Sequence, residues 1–453
     1  MFFNMKFNIV RNSMILIVLA LFSIESYAYI HADKRDSSDL DILSLTLDGA
    51  IELALDKNLT LLIAQKEIER VDWSRKENWN SLLPSVSANA QYTNNILKPV
   101  FFADFFPGGK MEMGSNNSYA VTGALQVPIL SIPLFKSIRL SELELKSTLE
   151  SARESKIELI SQVKSSYYGI LMLQESLRVL NDSYSNAQET ASNIELMYSN
   201  GMASEFDMIR SQVSVKNLLP SLTQAKNSLE LAKMQIKILL SLPLETSIEL
   251  KGSIQDFENE LSKREQMDYN LSNNSNIRRL KIQQMVLNKN FELIRSQRLP
   301  SLSGFANYQL QMQSEDFNLT HPWSNSFAVG FSIQVPIFNK FSIYNKEKQA
   351  RVAIMQLEHQ RELTELNLAT SLKNTLNEME RASVQYESDK EAVRQATRGY
   401  EIAKVRYSTG AGTLLELNDS ELALTSSRLN LTQAIYDYLK AKSEYDKIRG
   451  LEY

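Results

Sequence analysis

The sequence predicts a mainly α-helical protein that also carries membrane-spanning β-strands. Three observations lead to this fold class. The 453-residue chain repeats itself in tandem, each half contains one very long stretch of helix-favouring composition, and each half contains two short segments in which apolar and polar residues alternate. Long antiparallel helices packed as coiled coils are therefore expected, joined to strands of about ten residues, the length that crosses a bilayer at a tilt.

The duplication is clearest at two glycine turns. The segment YSNGMASEFD contains Gly201, and YSTGAGTLLE contains Gly410, 209 positions later. An acid follows each glycine by six positions, as Asp207 and Glu416. LLPSVSANAQYT in the first half matches RLPSLSGFANYQ in the second, and YAVTGALQVPIL matches FAVGFSIQVPIF. Self-similarity at a long, nearly fixed period indicates that one supersecondary unit is used twice.

Residues 1–28 have the layout of a secretory signal peptide. Lys6 and Arg11 precede an apolar run at 14–22, and small residues follow at 26–28. Such a run is too short to cross a bilayer as a helix. We therefore expect an exported protein; the alternative is a buried N-terminal helix.

Two long segments favour helix. Residues 134–200 and 337–409 contain no proline and one glycine each, so each segment could extend about 100 Å at 1.5 Å per residue. Beyond Gly410, large residues recur every seven positions, which is typical of close helix packing, although an ordinary coiled coil would show the same pattern. These residues are Leu417, Leu424, Leu431, Tyr438 and Tyr445. Pro220 lies in the helix after Gly201, where we expect a kink.

Four segments alternate with a period of two residues, which predicts strands. They form two pairs, 82–93 with 119–130 and 300–311 with 326–337. Prolines are expected to flank them, namely Pro84, Pro128, Pro300 and Pro336. Alternation alone is equally compatible with hairpins packed on a soluble core.

The two kinds of segment constrain each other. Four strands leave two open edges, which hydrocarbon does not tolerate, and about eight strands are needed to close a barrel. Several chains must therefore pool their strands, while the helices leave the membrane as a bundle that reverses at the glycine turns. The expected organisation is a first repeat over 36–240, an equatorial linker over 241–265 and a second repeat over 266–450. Each repeat consists of a helix, a strand pair, a long helix, a glycine turn and a helix.

Composition excludes several classes of function. The chain has no cysteine, so disulfides and thiolate sites are absent, and its three histidines, His31, His321 and His359, are widely scattered. No phosphate-binding glycine loop or catalytic constellation is present, so neither an enzyme nor a metal or cofactor site is expected. With a net charge of -4 and no basic run, a nucleic-acid partner is not expected either.

The order of elements, the duplication, LTLDGAIELALDKN at 45–58 and the two Tyr-x-x-Gly turns resemble the TolC-type outer-membrane efflux factors. The resemblance covers about residues 36–450. It implies a homotrimer with a 12-stranded β-barrel in the outer membrane of a Gram-negative bacterium and an α-helical tunnel in the periplasm. It also implies a passive duct for efflux or type I secretion, docked to a periplasmic adaptor (membrane fusion) protein and an inner-membrane RND or ABC pump. The alternative is a secreted or periplasmic coiled-coil protein without a channel.

The same resemblance implies a role for acids after the glycine turns. Glu416 and Asp419, with Asp207 on the other hairpin, would form an acidic ring at the periplasmic aperture. The competing interpretation is that acids near a helix N-terminus offset the helix dipole. The family's arginine two places after the second glycine, which helps to hold the aperture shut, is replaced by Gly412, so that contact is absent or built differently. We expect Asp207 to pair with Arg210.

Docking to the adaptor is expected at the hairpin tips, through Tyr198, Gly201, Tyr407 and Gly410, although these glycines would also serve simply as turn residues. The loops 94–115 and 312–326 are expected to face the outside of the cell. Two placements are open for the aromatic run at 101–106, over the barrel or at the lipid interface. The sequence does not indicate the exported substrate.

Overall fold

The computed structural model describes residues 43–102, 107–262 and 268–452. The predicted signal peptide, His31, Phe105 and Phe106 lie outside the described residues. From Leu43 onward the chain forms one compact unit. Within the described ranges, none of the helices combines the length and apolar character required to cross a membrane.

Helices make up most of the molecule. They are α1 (Leu47–Lys57), α2 (Leu59–Asn80), α3 (Ile132–Ser199), α4 (Glu205–Leu239), α5 (Glu258–Ser262), α6 (Ser275–Ser296), α7 (Ser342–Ser408) and α8 (Leu414–Arg449). With 68 and 67 residues, α3 and α7 each extend about 100 Å. Pro133 lies in the first turn of α3, where its missing N–H has no intrahelical partner to lose. Helix α4 continues through Pro220, so the lost hydrogen bond does not end it.

Four of the five residues in the seven-residue column of α8 are buried, and Leu431 is partly buried. Leu417, Leu424, Tyr438 and Tyr445 are each at most 7% exposed, and they pack in the helical bundle. At the matching positions of α4, only Leu229 and Ile236 are buried. The difference has a simple cause: α8 lies between α3 and α7, whereas α4 makes extensive contact only with α3.

The strands are β1 (Leu43–Leu45), β2 (Ser85–Asn94), β3 (Val100–Phe102), β4 (Lys110–Glu112), β5 (Asn117–Leu130), β6 (Ile248–Leu250), β7 (Ser301–Ser314) and β8 (Ser324–Gln334). Four of them form one antiparallel sheet in the order β2-β5-β7-β8. The pair β3–β4 is a separate two-stranded ribbon beyond the ends of β2 and β5. The edges of the four-stranded sheet are therefore β2 and β8.

The register of this sheet collects the alternating apolar residues on one face. Val86 lies opposite Leu125, Leu125 opposite Ala306, and Ala306 opposite Val329. Residues directly opposite each other point to the same side of a sheet. The apolar sets of all four strands therefore form one continuous face, and the other face carries mainly Ser, Thr, Asn and Gln.

Strand ends differ from the predicted ones by a few residues. Strand β2 begins at Ser85 rather than at 82, because α2 continues to Asn80 and Pro84 cannot donate a ladder hydrogen bond. Strand β8 ends at Gln334 rather than at 337, two residues before Pro336. Strand β7 is longer than predicted and extends to Ser314.

The prediction that Pro128 flanks a strand is wrong. It lies inside β5, at a position where the register with β7 shifts between Pro128 and Leu130. The pairing of β5 with β2 ends at Gln126, so Pro128 has no ladder partner on that side. A bulge and a free side are the two settings in which a strand tolerates proline. Pro84 and Pro300 each precede their strand by one residue.

A buried cluster surrounds the segment that joins the two halves. Strand β1 pairs in parallel with β6, and the Tyr167 hydroxyl of α3 lies 2.6 Å from the Lys251 carbonyl oxygen and 3.2 Å from that of Leu45. Ile51, Leu171 and Ile435 are almost completely buried in this cluster. Within the predicted linker the structure places β6, a 3-10 turn at 254–257 and α5, whereas residues 263–265 lie outside the described ranges.

At each of three levels, four elements lie side by side. In the sheet they are β2, β5, β7 and β8. Beside the sheet they are α2, α3, α6 and α7, each in contact with the next. Farther away they are α4, α3, α8 and α7, again in this order. Among the described residues, every level therefore ends in two elements that make extensive contact on one side only.

Candidate functional site

The two glycine turns have the same backbone geometry. Gly201 and Gly410 both have a φ of +74°. The N–H of Gly201 donates to the Tyr198 carbonyl at 2.9 Å, and the N–H of Gly410 donates to the Tyr407 carbonyl at 3.0 Å. A Cβ atom at either glycine would meet nothing within 4 Å. The left-handed backbone, rather than lack of space, therefore explains why both turns use glycine.

The acids that follow each glycine by six positions bond to the residue that caps the next helix, Ser204 in the first turn and Thr413 in the second. In the first turn, the Ser204 hydroxyl accepts from the Asp207 N–H at 3.0 Å and donates to the Asp207 carboxylate at 2.7 Å. In the second, the Thr413 hydroxyl accepts from the Glu416 N–H, and the Glu416 carboxylate accepts from the Thr413 N–H, at 3.2 and 3.3 Å. The hydroxyls of Ser204 and Thr413 thus each satisfy an N–H group that a helix start leaves free, and in the second turn the Glu416 carboxylate satisfies a further one.

Arg406 belongs to the second turn, and the sequence analysis missed it. Its guanidinium Nη2 lies 3.6 Å from the Glu416 carboxylate and donates to the Ala411 carbonyl at 3.1 Å. A Cβ at Gly412 would lie 3.0 Å from the Arg406 Cβ and 3.2 Å from the Glu416 Oε2. Gly412 therefore leaves room for this contact. A basic residue in the last turn of α7 was the available signal.

The predicted aperture acids differ in their surroundings. Glu416 and Asp419 are exposed near the start of α8, and Asp207 is partly buried. The expected ion pair between Asp207 and Arg210 is wrong: none forms between these two described residues, and the Asp207 carboxylate accepts from the Ser204 hydroxyl instead. Burial raises the pKa of the Tyr407 hydroxyl, and the nearby Asp207 carboxylate raises it further. Tyr407 of the second tip and Asp207 of the first tip therefore lie near each other.

The first tip also exposes apolar side chains. Met202 and Phe206 are 67% and 68% exposed, and Tyr198 is 40% exposed. Ile209 and Val213 continue this exposed stripe along α4. Such a patch is typical of an interaction surface. Of these residues the sequence analysis singled out only Tyr198.

A cavity of about 430 Å³ is lined by residues of α3 and α7 and by Leu417 of α8. Asn186, Glu189, Tyr400 and Lys404 contribute polar groups to its lining. No group of three or more His, Asp or Glu residues in the described part of the chain could hold a metal ion.

Comparisons with known proteins agree with the family resemblance found in the sequence. Residues 50–241 and 268–450 match the family described as outer membrane efflux protein. The alkaline protease secretion protein AprF of Pseudomonas aeruginosa is 23% identical over 336 residues, covering 72% of this chain and 68% of AprF. Nodulation protein T of Rhizobium leguminosarum bv. trifolii is 22% identical over 410 residues, covering 87% and 83%.

The fold is shared with solved channels. The outer membrane protein VceC of Vibrio cholerae has a TM-score of 0.71 at 14% identity, covering 89% of this chain and 96% of VceC. Members of the matched family are channel proteins rather than enzymes, and a coiled-coil protein without a channel is therefore not the correct interpretation. The chain belongs to the outer membrane efflux protein family and is an outer-membrane channel for efflux or type I secretion that extends into the periplasm.

Proposed function

We propose that three copies of this chain form a passive duct, with a 12-stranded barrel in the outer membrane and a helical tunnel in the periplasm. The observation that carries this proposal is the arrangement of four elements side by side at every level, with both end elements free. We further propose that 36–240 and 266–450 are two repeats joined by the equatorial linker 241–265, following a signal peptide at 1–28.

The sheet edges are suited to closure. Strands β2 and β8 contain 10 and 11 residues, and each has an unpaired long side. Because the four strands alternate in direction, β8 of one copy and β2 of the next are antiparallel. Closure satisfies the edge N–H and C=O groups, which hydrocarbon would otherwise leave unpaired.

The helical edges are suited to the same contact. On α4, Ile209 and Val213 are about half exposed, and on α7 Leu366 and Val405 are both 62% exposed. Packing α7 of one copy against α4 of the next would bury both apolar stripes. Strands and helices would then close around one axis in the same order of copies.

The two faces of the sheet divide between lipid and water. Phe327, Val329, Phe331 and Ile333 of β8 are 67–76% exposed on the apolar face, which suits contact with lipid. The polar face would line a water-filled lumen. Such a duct needs no catalytic residues, because substrates would pass through the lumen without a chemical step.

The tips are proposed to form the periplasmic aperture and the docking surface. Glu416, Asp419 and Asp207 would surround the mouth, and three copies of each would favour cations there. Tyr198, Gly201, Tyr407 and Gly410, with Met202 and Phe206, would contact a periplasmic adaptor that links the duct to an inner-membrane RND or ABC pump. In this arrangement Arg406 lowers the effective charge of Glu416 without removing it.

The first test is the mass of the particle extracted from the outer membrane in mild detergent, measured by native mass spectrometry. We expect three mature chains. The sequence lacks cysteine, so cysteine pairs can be placed one at a time along β2 and β8. Pairs in register should cross-link neighbouring copies, whereas a pair at Val121 and Leu310, which lie opposite each other within one chain, should leave monomers. A monomeric particle without intermolecular cross-links would contradict the proposal.

A further inference from the structure

Glu421 is a buried acid on α8, one turn beyond Leu417. It is 8% exposed, and its Oε1 atom has no hydrogen-bond partner. A buried carboxylate without a full set of partners is costly, because water no longer solvates the charge. The repeat places Gln212 at the corresponding position of α4, and that residue is exposed. The buried acid is therefore specific to the second hairpin.

The groups that face Glu421 come from both helices packed against α8. From α3, Asn186 donates a hydrogen bond to the Glu421 carboxylate, and Glu189 lies close enough to Tyr400 of α7 to raise the pKa of its hydroxyl. From α7, Lys404 supplies a positive charge, and the Glu421 carboxylate raises the pKa of the Tyr400 hydroxyl. Asn186, Glu189, Tyr400 and Lys404 also line the cavity between α3 and α7. Glu421 thus lies where three helices meet beside an open space.

Burial raises the pKa of Glu421 above the ordinary value of 4.5, and the Asn186 hydrogen bond and the Lys404 charge only partly oppose this change. For an acid with a raised pKa, the folded form binds the proton more tightly than the unfolded form. Its contribution to stability is therefore complete below the ordinary pKa and is lost as the pH rises through the folded-state pKa.

We propose that Glu421 is a pH-sensitive latch, which holds α8 against α3 and α7 while its side chain is a neutral acid and loosens this contact when it becomes a carboxylate. Ionisation places a charge among the three helices that Asn186 and Lys404 only partly compensate. Water can reach that charge from the adjoining cavity once α8 moves outward. A lower pH would tighten the second hairpin, and a higher pH would loosen it.

The effect on the duct rests on the proposed function, since α8 carries Glu416 and Asp419 at the proposed aperture. The latch itself depends only on contacts within one chain. The two ideas can therefore fail separately.

The test is hydrogen–deuterium exchange of the full-length protein in detergent, followed in peptides from 414–430 over about pH 5 to about pH 9. Protection is expressed relative to the intrinsic exchange rate at each pH. In the wild type we expect protection to fall at least about threefold as the pH rises. Glu421→Gln, which resembles the neutral acid in shape, should stay protected throughout. Lys404→Met removes the opposing positive charge and should move the loss of protection to higher pH.

Glu401→Gln is the matched control, because Glu401 is an exposed acid on α7 paired with Arg398. It should retain the wild-type pH dependence. Protection that is independent of pH in the wild type, or a pH dependence that persists in Glu421→Gln, would overturn the latch. If trimeric channels form but protection does not change with pH, the latch fails and the duct stands. If protection changes with pH in a protein that never forms channels, the duct fails and the latch stands.

Discussion

The two helical hairpins, α3–α4 and α7–α8, have the same turn but different surroundings. Gly201 and Gly410 share one backbone conformation, and a hydroxyl side chain caps the following helix in both. Yet α8 is buried between two helices, whereas α4 is free on its outer side. The second turn also has the Arg406–Glu416 contact, and Met197 stands at the position of Arg406 in the first.

This difference shows how a duplicated unit takes on two roles without a change of fold. The glycine turn depends only on local backbone geometry, and both repeats of the chain have it. The outward sides of the second helices depend on their neighbours, so they diverged. We expect substitutions at the turns to have equal effects in the two hairpins, and substitutions along the helices to have unequal effects.

The largest expected effect tests the difference in burial. Leu417→Ala removes a side chain that is 4% exposed and should lower the free energy of unfolding by about 2–5 kcal/mol. Met208→Ala, at the matching position of α4, should cost less than half as much, because Met208 is only partly buried. Denaturant unfolding of both variants in detergent measures the ratio. Equal losses would contradict the assignment of α8 as the buried member.

The next effect is a stabilisation confined to the first hairpin. Pro220 lies inside α4 and cannot donate to a carbonyl in the preceding turn, and the repeat places Leu429 at the corresponding position. Pro220→Leu should raise the free energy of unfolding by up to about 3 kcal/mol. Leu429→Pro is the reverse exchange and should destabilise α8 by at least this amount. A neutral Pro220→Leu would mean that the proline conformation is needed at that site.

The turn glycines should behave alike. Gly201→Ala and Gly410→Ala each force an L-residue into a left-handed backbone, at a cost of about 1–2 kcal/mol. Added methyl groups meet no neighbours at either position, so we expect the two melting temperatures to fall by similar amounts. Gly412→Ala should also destabilise the protein, through contact with Arg406 and Glu416. A large difference between Gly201→Ala and Gly410→Ala would show that one tip has a further constraint.

The smallest effect on stability, and the most specific for function, concerns charge. Glu416→Gln with Asp419→Asn should reduce the cation preference of the channel in a planar bilayer, and Arg406→Gln should increase it, because Glu416 then loses its counter-charge. Glu401→Gln, on the exposed side of α7, should leave the preference unchanged. Unaltered cation selectivity in the Glu416→Gln/Asp419→Asn variant and in Arg406→Gln would contradict the proposed acidic ring.

Features with a local or periodic origin were accessible from the sequence. The seven-residue column of α8, the alternating segments and the two glycine turns each follow from the spacing of residues along one element. Pro128 was misplaced because tolerance for proline inside β5 depends on where the pairing with β2 ends, which spacing does not reveal.

Side-chain contacts across turns and between helices were not accessible. Asp207 was expected to pair with Arg210 on helical spacing, but the Ser204 hydroxyl competes for the carboxylate at the start of the helix. Arg406 and Gly412 act together only because the chain reverses between them. The burial of Glu421 depends on how α3 and α7 pack against α8, and nothing in the sequence around Glu421 indicates this packing.

The side-by-side arrangement of four elements also has a consequence for biogenesis. In a newly folded single chain, the unpaired backbone of β2 and β8 and the apolar stripes of α4 and α7 are uncovered at the same time. Open strand edges and exposed apolar helix surfaces both promote aggregation. If copies assemble through these surfaces as proposed, the lifetime of the free chain is set by a competition between assembly and aggregation. Supply of the chain, and holdases that shield it in transit, would govern yield more than intrinsic folding speed.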